Sequence, residues 1–368
     1  MADEDSPLRI AMVTGADLRR GAPGGTRSYV VGLTRFLVHQ KVHVDVISNG
    51  PVDDVPVEVG GFSVTLGYRP STLQFQRALR KSGFPSGRES PSVIHFQRPD
   101  DLWSLRRVRN LPPSVCTLHG DPSRGVRRRK GRIAAARYRS IERRVIPRFG
   151  SIIAVDSRTA ETYRRRYPNV GDRIVQIPVG VDGSSSSGVR LRQTKTVGTR
   201  TFLFAGRLSV EKRVDRIIDF FLDGGRMSSD RLLIAGDGPE VHRLHRRAKG
   251  ANVEFLGRIP GEKMEDLYRS SDALILASEF EGLPTVMLES LAQGCPVVAV
   301  SSTMAGSQNI ATGVVSVSDL SKIPSALDAL TVEPANQVHV ELPSEYRWEH
   351  VGARILQVYR GILGEAVP

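Results

Sequence analysis

Two carboxylates and two cations carry the strongest chemical signal in this sequence. Glu281 and Glu289 stand with seven residues between them in the stretch SEFEGLPTVMLESLAQGCPVVAV, Ser278 to Val300. The apolar run 273–277 before them has the composition of a buried parallel strand. Gly282 and Pro284 break the chain, Thr285 to Gln293 is rich in helix formers, and Gly294 and Pro296 end that helix. Glu281 therefore falls at the carboxyl end of a strand, where open α/β sheets place their ligands. Glu289 lies about two turns further on, where a carboxylate can accept hydrogen bonds from ligand hydroxyls. Arg207 and Lys212 bracket a second strand-to-helix turn, after the apolar run 201–205. Two fixed cations at such a turn can neutralise a diphosphate leaving group.

The elements that must position these groups recur along the chain. Leu8 to Thr14 reads as a strand, followed by the loop Gly21-Ala22-Pro23-Gly24-Gly25 and a helix from Thr26 with Tyr29, Val30, Leu33, Phe36 and Leu37 on its apolar face. Gly24 and Gly25 would let a phosphate or sugar approach the backbone beside a helix amino end, although Gly-rich loops after strands are common. The spacing is not that of a dinucleotide fingerprint. Strands are expected at 42–48, 93–96, 115–118, 152–155 and 174–181, with a helix at 157–167. His119 follows the 115–118 run and precedes Gly120, so it can reach a ligand or serve as packing; His95 lies inside its strand and reads as structural. Four serines within 183–188 mark a linker. Further strands are expected at 231–235, 253–256, 297–300 and 313–317, and a short helix at 264–270. The domain expectation is 1–183, a linker at 184–198, a second domain at 199–345, and a final segment 346–368.

The chain has 368 residues, enough for two cores, and no run approaches the length of a membrane span. Cys116 and Cys295 sit in or beside apolar runs and read as packed thiols of a reducing compartment. The start MADEDSPLRI lacks the layout of a signal peptide, so a cytoplasmic protein is expected. Residues 1–183 hold 31 Lys+Arg against 17 Asp+Glu, a net of +14, and the remainder is at −1. The excess concentrates between Arg124 and Arg148, where eleven basic residues face one acid, Glu142. There a basic turn should lead into a helix with Ile133, Ala134, Tyr138, Ile141 and Val145 on its apolar face. Its charges, among them Arg127, Arg128, Arg129, Lys130, Arg137 and Arg144, could form a solvated face, an anionic-lipid or acceptor surface, or a nucleic-acid patch. Nucleic acid is disfavoured because no aromatic stacking platform accompanies the charge.

The Glu-seven-Glu spacing within EGLP…ESLAQGCPVVA, together with GRL…EK at 206–212 and the GDGP turn at 236–239, resembles the retaining glycosyltransferases of family four, the group one glycosyl transferases. The resemblance spans about Leu8 to Tyr359. It implies an α/β fold of two Rossmann-like domains facing across a cleft (GT-B), with the final helix crossing back to the first domain. It implies transfer of a sugar from a nucleoside-diphosphate sugar, a UDP- or GDP-sugar being expected, to a hydroxyl of a glycan, lipid-linked or small-molecule acceptor. No cofactor and no metal are implied. Arg207 and Lys212 would grip the pyrophosphate, Glu281 the sugar hydroxyls, Glu289 the ribose, and His119 the transferred sugar. Gly24, Gly25, Gly282, Leu283, Pro284 and Thr285 would line the donor, and the backbone of Gly257, Arg258 and Ile259 would hold the base. The GDGP turn reads as mainly structural. Two departures stand out: Val179 replaces the usual Asn, and the loop 302–309 lacks the usual acid. They leave open the alternative of a catalytically inactive binding or assembly subunit. A nucleoside-diphosphate-sugar epimerase of the same fold is a weaker alternative, because those enzymes use different acids.

Overall fold

The structure is a computed structural model, and it describes residues 8–18, 25–48, 72–85, 90–182, 190–193, 200–222, 230–279, 284–300, 312–323, 325–326, 331–332 and 337–365. The chain divides into two compact units, Met1–Gly180 with Trp348–Pro368, and Val181–Arg347.

In the first unit β1 (Arg9–Val13), α1 (Gly25–His39), β2 (His43–Ile47), α2 (Thr72–Lys81), β3 (Val93–Phe96), β4 (Ser114–Leu118), α3 (Pro122–Val145), β5 (Ser151–Ala154), α4 (Ser157–Arg166) and β6 (Ile174–Gln176) follow in order. The strands form one parallel sheet in the order β2-β1-β3-β4-β5-β6. Its central strands are buried throughout, as near-continuous apolar runs in a parallel sheet require. The free thiol Cys116 is fully buried in β4. Val179 is also buried, at 4% exposure, so this position holds an apolar contact in place of a polar one.

In the second unit β7 (Arg190–Gln193), β8 (Thr201–Ala205), α5 (Val214–Leu222), β9 (Arg231–Ala235), α6 (Val241–Arg247), β10 (Val253–Gly257), α7 (Gly261–Ser270), β11 (Ala273–Leu276), α8 (Thr285–Ala292), β12 (Val297–Val300), β13 (Val314–Val317), β14 (Thr331–Val332) and β15 (Gln337–Val340) follow. The main sheet is parallel, in the order β10-β9-β8-β11-β12-β13. A small antiparallel sheet, β14-β15-β7, stands beside it in the topology, and its strand 190–193 falls within the stretch expected as linker. Helix α7 begins at Gly261, three residues ahead of the expected start at Met264, because extended Pro260 already marks its boundary.

The last helix, α9 (Trp348–Leu363), belongs to the first unit and packs on α1. An added Cβ at Gly32 would lie 2.2 Å from the Trp348 indole, and one at Gly352 2.2 Å from Phe36, so both contacts depend on missing side chains. His95, fully buried in β3, hydrogen-bonds Tyr359 Oη through Nδ1 (2.6 Å) and Thr117 Oγ1 through Nε2 (2.7 Å). Burial, with His119 as a lesser cause, lowers its pKa to about 3, so it joins α9 to the sheet as a neutral ring.

Helix α3 departs from its expected form in two ways. The stretch expected as a basic turn is already helical, because the Asp121 side chain accepts from Ser123 N (3.0 Å) and Pro122 occupies the first turn. Gly131 then kinks the helix at φ 82°, ψ 179°. The kink resets the helical phase. Ile133, expected on the apolar face, is 81% exposed, while Ala135, Tyr138 and Val145 are buried. Glu142 also turns inward, accepting from Tyr163 Oη (2.5 Å), Tyr167 Oη (2.8 Å) and Arg166 (3.3 Å).

A buried acidic pair follows β3. Asp100 pairs with Arg98 (2.9 Å), whereas among the described residues Asp101 Oδ1 accepts from Gln76 (3.3 Å) and its Oδ2 has no hydrogen-bond partner. Burial first, and the Asp100 charge second, raise the Asp101 pKa to about 7, against the lowering effects of Arg98 and Gln76. The folded value lies above the ordinary value of 3.8, so stability is greatest below that value and falls as pH rises through about 7. Asp101→Asn should therefore raise Tm at pH 8 and give a smaller gain at pH 5. Equal losses at both pH values would contradict an ionised, unfavourable Asp101.

Candidate functional site

The second unit's topology marks its ligand edge. From β8 the sheet runs to β9 and β10 on one side and to β11, β12 and β13 on the other. The carboxyl ends of β8 and β11 thus flank a topological switch point, the usual ligand position in open α/β sheets. Arg207 emerges there one residue beyond β8, after Gly206, and is exposed. Lys212 ends the short 3-10 turn Val210–Lys212, its N–H donating to Ser209 O (3.0 Å), and is partly buried. Arg213 follows at φ 54° and pairs with Glu279 (3.0 Å), while Glu279 N donates to Glu211 O (3.0 Å). The loop after β8 is therefore tied to the start of the loop after β11.

The GDGP turn does more than close β9. An added Cβ at Gly236 would stand 1.8 Å from Gly206 O, and one at Gly238 2.2 Å from Leu208 O. Leu208 N donates to Asp237 O (3.0 Å), Glu240 N to Leu208 O (3.1 Å), and Gly236 N to Gly257 O (2.7 Å). This turn is the platform on which the Arg207 loop rests. The sequence clue was the pair of glycines flanking Asp237, which permits close backbone approach. Gly257 has φ 65°, Arg258 pairs with Asp237 (3.0 Å), and Ile259 is partly buried.

Pro284 is buried and precedes α8, and Thr285 is its first residue. Glu289, one turn into that helix, is partly buried and its Oε2 accepts from Tyr268 Oη of α7 (3.1 Å). Burial is the main cause that raises the Glu289 pKa; the Tyr268 hydrogen bond opposes it, and the charges of Asp182 and Glu265 add to it. Tyr268 was not singled out from sequence. Gly24, Glu281, Gly282 and Leu283 lie outside the described residues, as do the 302–309 loop and the side chain of Arg129.

In the first unit the corresponding switch lies between β1 and β3. Gly25 opens α1 after β1 and is exposed. His119, after β4, is partly buried, and Gln97 Oε1, after β3, accepts from its Nε2 (2.9 Å). Its ring meets Tyr29 edge-on, with centroids 4.9 Å apart. Burial lowers the His119 pKa to about 4, so at neutral pH it is an uncharged imidazole whose Nδ1 can accept a hydrogen bond. Arg127, Arg128, Lys130, Arg137 and Arg144 of α3 are all exposed. Among the described residues no group of three or more His, Cys, Asp or Glu side chains is arranged to hold a metal ion.

Two family models divide the chain. Residues 23–184 match Glycosyltransferase Family 4, and residues 190–317 match Glycosyl transferases group 1. The GDP-mannose-dependent alpha-(1-6)-phosphatidylinositol dimannoside mannosyltransferase of Mycobacterium tuberculosis is 33% identical over 178 residues, 43% of this chain and 46% of that relative. The alpha-monoglucosyldiacylglycerol synthase of Streptococcus pneumoniae is 33% identical over 107 residues, 28% of this chain and 24% of that one. The chain thus spans less than half the length of these curated relatives. Among solved structures, sucrose-phosphate synthase from Thermosynechococcus elongatus superposes with a TM-score of 0.72 at 18% identity, over 97% of this chain and 99% of that one. Anabaena Alr3699/HepE in complex with UDP-glucose gives 0.65 at 13% identity, over 97% and 98%. These likenesses are of fold. With two parallel six-stranded α/β sheets and both family models matched in sequence order, the chain belongs to the group 1, family 4 glycosyltransferases of GT-B fold.

Proposed function

We propose that the chain is a retaining glycosyltransferase that moves a sugar from a nucleoside-diphosphate sugar to a hydroxyl of a lipid or glycan acceptor. The observation that carries this reading is the β8–β11 switch point, where the loop holding Arg207 and Lys212 is braced by the GDGP turn and tied to the loop that leads into α8. Arg207 and Lys212 neutralise the charge that builds on the departing diphosphate. The N–H groups at the start of α8 add to that stabilisation. Glu289 holds the ribose hydroxyls, and Glu281 the hydroxyls of the sugar. Retention follows from front-face attack, in which the leaving phosphate takes the acceptor proton. Neutral His119 offers the sugar a hydrogen-bond acceptor. GDP-mannose is in the mycobacterial relative's name and UDP-glucose in a related structure, so either base is a candidate.

A thermal-shift panel of UDP, GDP and ADP tests this directly. A nucleotide at 100 times its dissociation constant should add about 2.7 kcal/mol of stability. A shift from one nucleotide, lost in Lys212→Ala, is expected. No shift from any of them would favour an inactive family member.

The acceptor reading includes an anionic lipid surface at the cytoplasmic face of a membrane. Names of two relatives contain phosphatidylinositol and diacylglycerol. Helix α3 supports it, because its acid is turned inward while its basic groups and Ile133 stand exposed around the Gly131 kink. No helix among the described residues is long and apolar enough to cross a membrane. Each basic group near an anionic surface contributes about 1 kcal/mol. Replacing Arg127 and Arg137 together by Gln should weaken binding to phosphatidylserine vesicles about thirtyfold at low salt. Binding that does not change in sedimentation would return α3 to a solvated face.

A further inference from the structure

We propose that Tyr268 is the positioning residue for nucleotide ribose recognition: its phenol fixes one oxygen of Glu289 and keeps the other turned to the ribose hydroxyls. This rests on the ribose role proposed above for Glu289. Helices α7 and α8 pack together, and Tyr268, 2% exposed, reaches across from the former to donate to Glu289 Oε2 at 3.1 Å. Glu289 Oε1 takes no hydrogen bond among the described residues. The carboxylate is therefore held at one oxygen and available at the other, the arrangement a vicinal diol needs from a single acceptor.

The bond also controls the charge on that acceptor. The groups facing Glu289 are Tyr268 and Glu265 from α7 and Asp182 from the segment after β6. Burial and the two acids favour the protonated form, and among the described residues it is the Tyr268 hydroxyl that favours the carboxylate. Burial together with the Glu289 and Cys295 charges keeps that phenol far from ionising, so it remains a donor. A ribose hydroxyl donates well to a carboxylate and poorly to a carboxylic acid. Without Tyr268 Oη, Glu289 would rotate more freely and protonate at a higher pH. A tyrosine that merely fills the core would affect neither.

Calorimetric titration of the full chain with UDP, GDP and ADP, and with the 2′,3′-dideoxy form of each, tests the proposal between pH 5.5 and 8.5. Tyr268→Phe should weaken binding of the ribonucleotide about tenfold, the loss of one hydrogen bond to a charged group, and leave the dideoxy form unchanged. The acid limb of ribonucleotide binding should move to higher pH in Tyr268→Phe. It should move to lower pH in Glu265→Gln, where a facing acid has been removed from an exposed position that does not threaten folding. In the Tyr268→Phe, Glu289→Gln double variant the tyrosine substitution should cost nothing further. Ribonucleotide binding that falls in Glu289→Gln but not in Tyr268→Phe overturns the proposal and keeps the ribose reading. Equal losses for ribo and dideoxy forms in Tyr268→Phe, or an acid limb that neither variant moves, also overturn it. If Glu289→Gln changes nothing, or no nucleotide binds the wild type, the ribose reading falls and the proposal with it.

Discussion

Lys212→Ala is expected to lower kcat for sugar transfer about 100- to 1000-fold, with little change in Tm. The magnitude is that of removing one preorganised group aimed at developing transition-state charge. Lys212 sits at the end of a 3-10 turn whose backbone is fixed by its own N–H to Ser209 O and by left-handed Arg213 behind it. Under the role proposed above, this fixed backbone would hold the ammonium near the diphosphate as charge grows on it. Charge is already present on the bound donor, so KM should rise too, but less than kcat falls, because the leaving oxygen gains charge only as the bond breaks. Partial exposure limits the stability cost of the substitution. Glu281→Gln should show a comparable loss of kcat if the sugar hydroxyls depend on its charge. Initial rates with donor and acceptor, or donor hydrolysis without acceptor, measure both. Full activity in Lys212→Ala would remove the leaving-group assignment.

Much of this site was readable because parallel strands leave a plain trace. The runs 201–205, 231–235 and 273–276 are almost wholly apolar; glycines at 206 and 236 follow the first two, and Ser278 and Glu279 lie just beyond the third, so the strand ends were visible in sequence. Placing Arg207 and Lys212 in the loop after one of those ends, and Glu289 in the helix after another, needed no tertiary information. What sequence could not give was contact between distant segments. Tyr268 and Glu289 are 21 residues apart on different helices, and periodicity says only that Tyr268 faces inward. The bracing of the Arg207 loop by Gly236 and Gly238 likewise arises from a strand order in which β8 and β9 are neighbours. Ile133 went wrong for a different reason. Counting helical spacing assumes one continuous helix, and a glycine at φ 82° rotates everything beyond it. Composition gave no place for Glu142, the lone acid of that basic stretch; two tyrosine hydroxyls and Arg166 satisfy it inside.

Trp348→Ala should destabilise the first unit by about 3–5 kcal/mol, the range for deleting a large buried aromatic side chain. Trp348 is 5% exposed and fills a slot whose walls are glycines: an added Cβ at Gly32 would lie 2.2 Å from the indole, and one at Gly180 2.5 Å. Walls without side chains cannot collapse inward, so most of the cavity should persist and the cost should fall toward the upper end of the range. The indole also meets Tyr29 edge-on at 5.6 Å, and Tyr29 Oη is joined to Thr117 Oγ1 (3.1 Å), which also bonds His95. Loss of the indole therefore loosens a ring that also meets His119 edge-on. The chain has two tryptophans, Trp103 and Trp348, both in the first unit, so in the variant Trp103 fluorescence reports urea unfolding of that unit alone. Trp348→Phe should fall between wild type and alanine, because a smaller ring keeps the Tyr29 contact and fills part of the slot. A midpoint shift worth less than about 1 kcal/mol in the alanine variant, the size of an ordinary surface substitution, would mean that α9 adds little to the first unit's core.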